Sequence, residues 1–191
     1  RLAGAFGLAL ISPLLAATAL AIRLDSPGPI FYTQTRVGQD GKPFTMWKFR
    51  SMYIDSDARR ASVVKAGGDA GNEVMFKDRQ DPRITRVGRW IRRLSIDELP
   101  QLINVVRGDM SLVGPRPALP VEVAKYDAEA LRRLLVKPGL TGLWQISGRS
   151  DLSWASTVAL DRHYVENRGG ALDAKIFAGT LRAVIGGKGA Y

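Results

Sequence analysis

The sequence predicts an α+β fold that is mainly helical, contains one small β-hairpin, and contacts a membrane from one side. An uncharged apolar segment opens the chain at residues 2–22, and β-prone runs around a turn signal follow it. Helical patterns dominate the second half, and the later ones are Ala124–Leu135, Asp151–Asn167 and Asp173–Ile185. We expect a re-entrant membrane helix over residues 1–24 and one folded domain over residues 25–191.

Composition limits the classes of site and partner that are available. The 191 residues are enough for one domain with a substantial core. The net charge of +10 suggests a polyanionic partner, which could be nucleic acid, an anionic membrane or a phosphorylated substrate. The chain has no cysteine and only one histidine, which excludes disulfides, cysteine chemistry and a histidine metal site. We therefore expect His163 to be an ordinary surface or core residue.

The apolar N-terminal segment has the length of a bilayer-spanning helix but is interrupted in the middle. Pro13 cannot donate to the carbonyl of Ala9 and should bend the helix there, with Ser12 helping to satisfy the freed backbone. The segment could be a kinked spanning helix, a buried core helix, or two half-helices that enter and leave on one face. Basic residues at both ends, Arg1 and Arg23, favour the re-entrant form, because positive charge stays on the cytoplasmic side.

Two β-prone runs predict the hairpin. Ile30–Tyr32 and Phe44–Trp47 flank the turn signal Gln39–Gly41. Its arms carry three basic residues, which are Arg36, Lys48 and Arg50. These residues could form the basic wall of a phosphate site, or they could protect the edge of a sheet from further pairing.

A basic amphipathic helix is predicted next. Its apolar stripe has helical spacing and consists of Val87, Trp90, Ile91 and Leu94. Four arginines lie off or beside this stripe: Arg86, Arg89, Arg92 and Arg93. A basic helix with tryptophan suits the surface of an anionic membrane, although a solvated surface helix has the same pattern.

The segment Ser95–Gln101 places two adjacent carboxylates directly after these arginines. Ser95 could be the N-cap of a capping box with Glu98, or Asp97 could be the N-cap and so leave Pro100 in the first turn. In both cases the carboxylates lie at a helix N-terminus, which favours negative charge and attracts phosphate. Asp97 is therefore either a reactive carboxylate or only a helix cap.

Two loops complete the set of candidate features. Ser111–Pro117 is rich in proline, which would present Arg116 rigidly for bidentate phosphate binding. Alternatively, Arg116 could satisfy nearby carbonyls. Lys137–Arg149 contains three glycines that allow close backbone approach to a ligand, but it matches neither the P-loop nor the dinucleotide-binding spacing.

Five segments, in this order along nearly the whole chain, carry a family resemblance: residues 48–52, 81–85, 95–101, 108–117 and 137–149. Together they resemble the bacterial sugar transferases that are monotopic phosphoglycosyl transferases. These enzymes start exopolysaccharide, O-antigen and related glycans on a polyprenol carrier. The resemblance implies that Ser12–Pro13 breaks a re-entrant helix, and that an interfacial catalytic domain lies at the cytoplasmic face of the bacterial inner membrane.

The resemblance also implies a mechanism. Asp97 would attack the β-phosphate of a UDP-sugar, UMP would leave, and polyprenol phosphate would take the phosphosugar in a second step. Glu98 would be the metal-side partner, and Asp97 and Glu98 together would hold Mg²⁺. The implied substrate-binding residues are Lys48, Arg50, Arg83, Arg92, Arg116 and Arg149.

The implied partners are a UDP-sugar, polyprenol phosphate and membrane lipid, while the oligomeric state, including a homo-oligomer, is left open. A nucleic-acid partner is not expected, because the apolar segment argues against it and no nucleic-acid motif is present. Two alternatives remain. One is a non-enzymatic basic scaffold on anionic lipid, in which replacing Asp97 would have no effect, and the other is a membrane-spanning protein with the same chemistry.

Overall fold

A computed structural model describes residues 2–56, 58, 81–148 and 152–185. Helix α1 (Leu2–Leu10) and helix α2 (Ser12–Asp25) are bent by 59° at the break between them. The Oγ of Ser12 donates to the carbonyl of Ala9 at 2.8 Å, which is the acceptor that proline leaves unpaired. The predicted break and the predicted role of Ser12 in it are confirmed.

No single helix within the described ranges is both long and apolar enough to cross a bilayer. Helices α1 and α2 meet that requirement only as a bent pair, judged by length and composition.

The predicted hairpin is present. Strands β1 (Phe31–Val37) and β2 (Pro43–Phe49) are antiparallel and are joined through a short 3₁₀ turn, Gln39–Gly41. Tyr32 lies opposite Lys48 and Arg36 lies opposite Phe44. Because directly opposed residues in an antiparallel pair share a face, one face of the hairpin carries Tyr32, Gln34, Arg36, Phe44, Met46 and Lys48.

Helix α3 (Arg86–Arg93) confirms the predicted amphipathic helix. Thr85 caps its start by accepting a hydrogen bond from the backbone N–H of Gly88 at 2.9 Å. The carboxylate of Asp25, the last residue of α2, accepts a bond from the backbone N–H of Val87 at 2.9 Å. The start of α3 therefore lies against the C-terminal end of α2.

After α3 the chain forms a 3₁₀ helix, Ile96–Gln101, and then helix α4 (Leu102–Arg107). Gly108 ends α4 in a left-handed conformation with φ of 91°, which is a common way for glycine to end a helix. Asn104 is fully buried in α4, donates to the carbonyl of Thr45 at 2.7 Å, and accepts from the N–H of Trp47 at 3.1 Å. These bonds fix α4 against β2.

A second, parallel pair of strands was not predicted from the sequence. Strand β3 (Ser111–Val113) pairs with β4 (Gly139–Thr141), although both segments were predicted to be loops. The glycines here approach protein backbone, because a Cβ on Gly139 would lie 2.1 Å from the nitrogen of Gly114. Within the described residues, this close approach is therefore between the two strands, and its use for a ligand stays a prediction.

The C-terminal half is helical, with shorter elements than expected. The predicted helix Ala124–Leu135 is wrong as one element, because the chain forms α5 (Pro120–Val123), α6 (Ala128–Leu131) and a 3₁₀ helix, Arg132–Leu135. A side-chain cap at Asp127 starts a new helix there, since its carboxylate accepts from the N–H of Ala130 at 2.8 Å. The remaining helices are α7 (Leu143–Ser147), α8 (Trp154–Asn167) and α9 (Gly170–Ile185).

The N-terminal helices share their core with the rest of the chain. Ile22 of α2 packs with Phe49 of β2 and Ile91 of α3, and α1 packs on the cluster around Leu102 and Val105 of α4. A third cluster joins β3 to the last two helices through Val113, Tyr164 and Ile176. The predicted mainly helical α+β class with a small hairpin is confirmed. The single histidine is exposed on α8.

Candidate active site

The two predicted catalytic carboxylates, Asp97 and Glu98, lie in the first turn of the 3₁₀ helix Ile96–Gln101. The predicted capping box is wrong, because Ser95 adopts a left-handed conformation with φ of 54° and its side chain caps nothing. Pro100 explains the tighter helix, since it lacks the N–H that an α-helix starting at Ser95 would require. The N-cap position is occupied by Ser95, so Asp97 is not the N-cap of this helix, and its role as a reactive carboxylate stays a prediction.

Lys48 contacts the carboxylate pair from β2. Its Nζ lies 2.7 Å from Oε1 of Glu98, and both side chains are partly exposed. The bonds from Asn104 fix β2, which carries Lys48, to α4, which directly follows the 3₁₀ helix that carries Glu98. Lys48 of the hairpin thus lies beside the predicted carboxylate pair, and its contact with substrate stays a prediction.

Asp97 lies in an electrostatic environment with opposing contributions. Burial raises the pKa of the Asp97 carboxyl to about 6, and the negative charge of Glu98 adds to that increase. The positive charges of Lys48 and Arg92 lower the same pKa. Asp97 is therefore predominantly ionised at pH 7 but binds a proton more readily than an ordinary aspartate. Arg92, a predicted substrate-binding residue, lies close enough to act on this carboxylate.

Two other predicted substrate-binding arginines are buried and bonded to the protein. Arg50 donates to the backbone carbonyls of Pro27 and Ser26, and to Oγ of Ser26 at 3.0 Å. Arg83 forms a bidentate pair with Asp81, with donor–acceptor distances from 2.6 to 3.0 Å. These arginines join segments of the fold, and their contact with substrate stays a prediction.

Arg116, a predicted phosphate ligand, is paired with an acidic residue that the sequence did not identify. Its Nη1 lies 3.0 and 3.2 Å from the two carboxylate oxygens of Glu122. Glu122 also accepts from the N–H of Leu119 at 2.7 Å, at the start of α5. The sequence pattern that could have identified Glu122 is a helix start, with proline at the first helical position and glutamate two residues later.

Arg36, like Glu122, lies at the site but is not among the predicted substrate-binding residues. It is buried beside Arg116, and its Nη1 donates to the carbonyl of Pro117 at 3.0 Å. The signal was its position in the hairpin, because a register through Gln39–Gly41 puts Arg36 and Lys48 on one face. The remaining predicted site residue, Arg149, lies outside the described residues.

The carboxylate pair has the chemistry to hold a hard divalent cation, but only with help from a substrate. No group of three or more acidic, histidine or cysteine side chains that could hold a metal ion occurs in the part of the chain that the structure describes. Mg²⁺ is commonly held by one or two carboxylates together with substrate phosphates. Burial and, after it, the negative charge of Glu98 raise the pKa of Asp97, and a cation bound between the two carboxylates would relieve their repulsion.

Comparison with known proteins gives a consistent result. The profile of bacterial sugar transferases matches residues 1–187. The chain is 42% identical to the exopolysaccharide production protein ExoY of Rhizobium meliloti, over all of this chain and 85% of that protein. It is 45% identical to the undecaprenyl-phosphate galactose phosphotransferase of Salmonella typhimurium, over 86% of this chain and 35% of that protein.

A third relative, the undecaprenyl-phosphate glucose phosphotransferase of Komagataeibacter xylinus, is 45% identical over 95% of this chain and 34% of that protein. The chain therefore spans most of ExoY but only about a third of these two phosphotransferases. The matches include the segments that hold the carboxylate pair and its basic surroundings. The chain belongs to the bacterial sugar transferase family.

Proposed function

We propose that this transferase moves a phosphosugar from a UDP-sugar to polyprenol phosphate and forms polyprenol diphosphate sugar and UMP. The names of two relatives, undecaprenyl-phosphate galactose and glucose phosphotransferases, support the class of donor group and acceptor. The observation that carries the proposal is the carboxylate Asp97, held next to Glu98 and close to two cationic side chains. A non-enzymatic scaffold does not require such an arrangement.

The reaction proceeds by two displacements at one phosphorus atom. In the first, an oxygen of Asp97 bonds to the β-phosphorus of the donor, the bond from that phosphorus to the bridging oxygen breaks, and UMP leaves with the oxygen. In the second, an oxygen of polyprenol phosphate bonds to the same phosphorus, and Asp97 departs as a carboxylate. Covalent catalysis of this kind predicts ping-pong kinetics.

The charges around Asp97 suit this chemistry. A nucleophilic carboxylate must be ionised, and a pKa of about 6 leaves it so at neutral pH. Lys48 and Arg92 supply positive charge beside a phosphoryl group whose transition state and leaving group are anionic. Asp97 and Glu98 would hold Mg²⁺, which when bound neutralises phosphate charge.

The N-terminal helices support a membrane position for the site. Large apolar side chains are exposed along both helices: Leu2, Phe6, Leu10, Leu14, Leu20 and Leu24. Since these helices are bent and both pack on the catalytic part, the apolar surface and the carboxylate pair belong to one folded unit. A site at the cytoplasmic face of the inner membrane would be open to both a soluble nucleotide sugar and a lipid-borne acceptor.

A UMP-release assay with a panel of UDP-sugars and polyprenol phosphate tests the proposal. Asp97→Asn should abolish release with every donor that the parent protein accepts. Glu129→Gln is the matched control, because it removes a carboxylate from an exposed ion pair with Arg162 and should keep activity near the parent level. An Asp97→Asn variant as active as the parent would contradict the proposal.

A further inference from the structure

The short segment that carries Arg116 is held between a buried anion and a buried cation. Glu122 contacts Arg116 itself, and Arg36 contacts the carbonyl of the next residue, Pro117. A backbone bond from the N–H of Val37 to the carbonyl of Ala118 at 2.9 Å joins the same segment to the end of β1. The orientation of the segment is therefore set by side chains from β1 and α5.

Glu122 engages only part of the Arg116 guanidinium. Both carboxylate oxygens accept from the same nitrogen, Nη1, while Nε and Nη2 form no hydrogen bond to any described residue. The side chain of Glu122 is 4% exposed and that of Arg116 is 22% exposed. One nitrogen is thus committed to the protein, and the partly exposed remainder keeps two donor nitrogens for a ligand.

Arg36 is held by neutral acceptors only. It is 8% exposed, and its two terminal nitrogens donate to the Pro117 carbonyl and to the side chain of Gln34. Its Nε has no hydrogen-bond partner, and no ion pair among the described residues includes Arg36. Burial, followed by the charge of Arg116, lowers the pKa of Arg36 to about 10.

A buried guanidinium without a carboxylate partner is unfavourable for stability by itself. A neutral side chain could donate to the Pro117 carbonyl at a smaller desolvation penalty. Arg36 and Arg116 together carry two positive charges against the single negative charge of Glu122. An anionic ligand at this place would complete the balance.

The cluster lies along the surface that leads to the carboxylate pair. Arg36 and Lys48 share one face of the hairpin, and Lys48 bonds to Glu98. The negative charge of Glu98 also raises the pKa of Arg36, although by less than the other charges near Arg36 change it. A donor that has its β-phosphate at Asp97 would therefore extend along the hairpin face toward Arg116.

We propose that Arg36 and Glu122 are positioning residues that fix the Arg116 guanidinium, so that its Nε and Nη2 face the nucleotide part of the anionic donor. This inference rests on the proposed function, because it assumes a UDP-sugar donor. It adds two residues that act on the donor through Arg116 and do not act on the lipid acceptor.

Binding of UMP to the purified full chain, measured by calorimetry, tests the proposal directly. Glu122→Gln keeps an acceptor for the N–H of Leu119 but removes the charge that orients Arg116. We expect the Kd for UMP and the KM for the donor to rise by about tenfold, which is the usual effect of losing one charge-assisted hydrogen bond. The KM for polyprenol phosphate should stay unchanged.

A double-variant comparison separates positioning from general destabilisation. If Glu122 acts through Arg116, the variant Glu122→Gln/Arg116→Gln should bind UMP no more weakly than Arg116→Gln alone. Arg36→Lys keeps the positive charge and should bind UMP more tightly than Arg36→Gln. These two Arg36 variants test the same segment if a Glu122 variant fails to fold. Glu129→Gln is again the control and should bind UMP like the parent protein.

Two different failures can be told apart. A parent protein that neither binds UMP nor releases it from any UDP-sugar would contradict the proposed function and this inference with it. A parent protein that binds UMP, together with folded Glu122→Gln and Arg36→Gln variants of unchanged affinity, would overturn this inference alone. If the losses of UMP affinity from Glu122→Gln and Arg116→Gln add up in the double variant, Glu122 acts on UMP binding independently of Arg116, which would overturn the positioning role.

Discussion

At the scale of single residues, Asp97 occupies an environment that is poor for stability and useful for chemistry. Burial and the neighbouring charge of Glu98 both oppose its ionisation, yet the proposed reaction requires the ionised form. Lys48 and Arg92 limit the shift so that the carboxylate is charged at neutral pH.

The pKa of Asp97 predicts the acid limb of the pH profile. Because the raised pKa is about 6, the nucleophilic carboxylate is lost as the pH falls through 6. The kcat/KM for the donor should therefore decrease about tenfold per pH unit below that point. Initial rates of UMP release between pH 4.5 and 8 measure it, and an acid limb near pH 4 would show that the active-site carboxylate is unperturbed.

The same shift predicts that removing the charge stabilises the fold. A carboxyl with a raised folded-state pKa stabilises the protein when protonated, and this contribution is lost as the pH rises through about 6. Asp97→Asn should therefore increase the free energy of unfolding at pH 7.5 by up to about 3 kcal/mol, and this gain should vanish below pH 4. Denaturant unfolding at both pH values measures it, and a less stable variant at pH 7.5 would contradict it.

The sequence located the carboxylate pair and the cations beside it but did not separate binding arginines from structural ones. Arg50 and Arg83 are buried and bonded to acceptors of the protein, which their charge in the sequence does not reveal. Arg36 is not among the predicted binding residues, because its contact with Pro117 joins positions 81 residues apart in the chain. A local pattern contains no information on such contacts.

At the scale of elements, helix α3 divides its predicted apolar stripe between the core and the surface. Val87 and Ile91 pack with α2, whereas Trp90 is 65% exposed and Leu94 is 43% exposed. Exposed arginines, Arg86, Arg89 and Arg93, lie on the same helix. Tryptophan and leucine among exposed arginines favour contact with an anionic membrane over a purely solvated helix.

We predict that the three exposed arginines of α3 strengthen binding to anionic lipid. Replacing Arg86, Arg89 and Arg93 with glutamine should weaken binding to vesicles that contain phosphatidylglycerol by about 1 kcal/mol per charge, and should leave binding to neutral vesicles unchanged. Vesicle sedimentation at low salt measures the effect. The control removes equal charge elsewhere, by replacing Arg132, Arg162 and Arg168, and equal losses in both variants would show that only net charge matters.

The parallel strands β3 and β4 show where element prediction failed. Each strand has only three residues, which is too short for an alternating pattern, and the pairing joins Ser111 to Gly139. The hairpin was predictable because its two strands are longer and are adjacent along the chain. Sequence patterns thus predicted local pairing correctly and missed a distant pair.

At the scale of the whole molecule, the proposed function gives the bent N-terminal helices the role of setting how the site meets the membrane. The division into residues 1–24 and 25–191 stays a prediction, since both helices share hydrophobic clusters with the rest of the chain. The bend was predictable from Ser12 and Pro13, because it follows from one missing backbone donor. The packing of α1 on α4 was not, because it depends on distant residues.

Replacing Pro13 with alanine should convert the bent pair of helices toward a straight helix. A continuous helix over Leu2–Asp25 would be about 36 Å long, which is enough to cross the hydrocarbon core of a bilayer. The chain has no cysteine, so single cysteines at Leu2 and Lys42 can be labelled separately. With Pro13 present, both cysteines should be labelled from the same side of membrane vesicles. With Pro13→Ala, the cysteine at position 2 should be labelled from the opposite side. Labelling of the two cysteines from opposite sides with Pro13 present would contradict the re-entrant form.

The proposed mechanism requires that Asp97 form the covalent phosphosugar intermediate. Mass spectrometry of the protein after incubation with its UDP-sugar, without acceptor, detects this intermediate. We expect about one UMP released per protein, and a phosphosugar added to the tryptic peptide of residues 94–107, with both absent in Asp97→Asn. An active protein that shows no such adduct and releases UMP only when polyprenol phosphate is present would contradict the proposed mechanism.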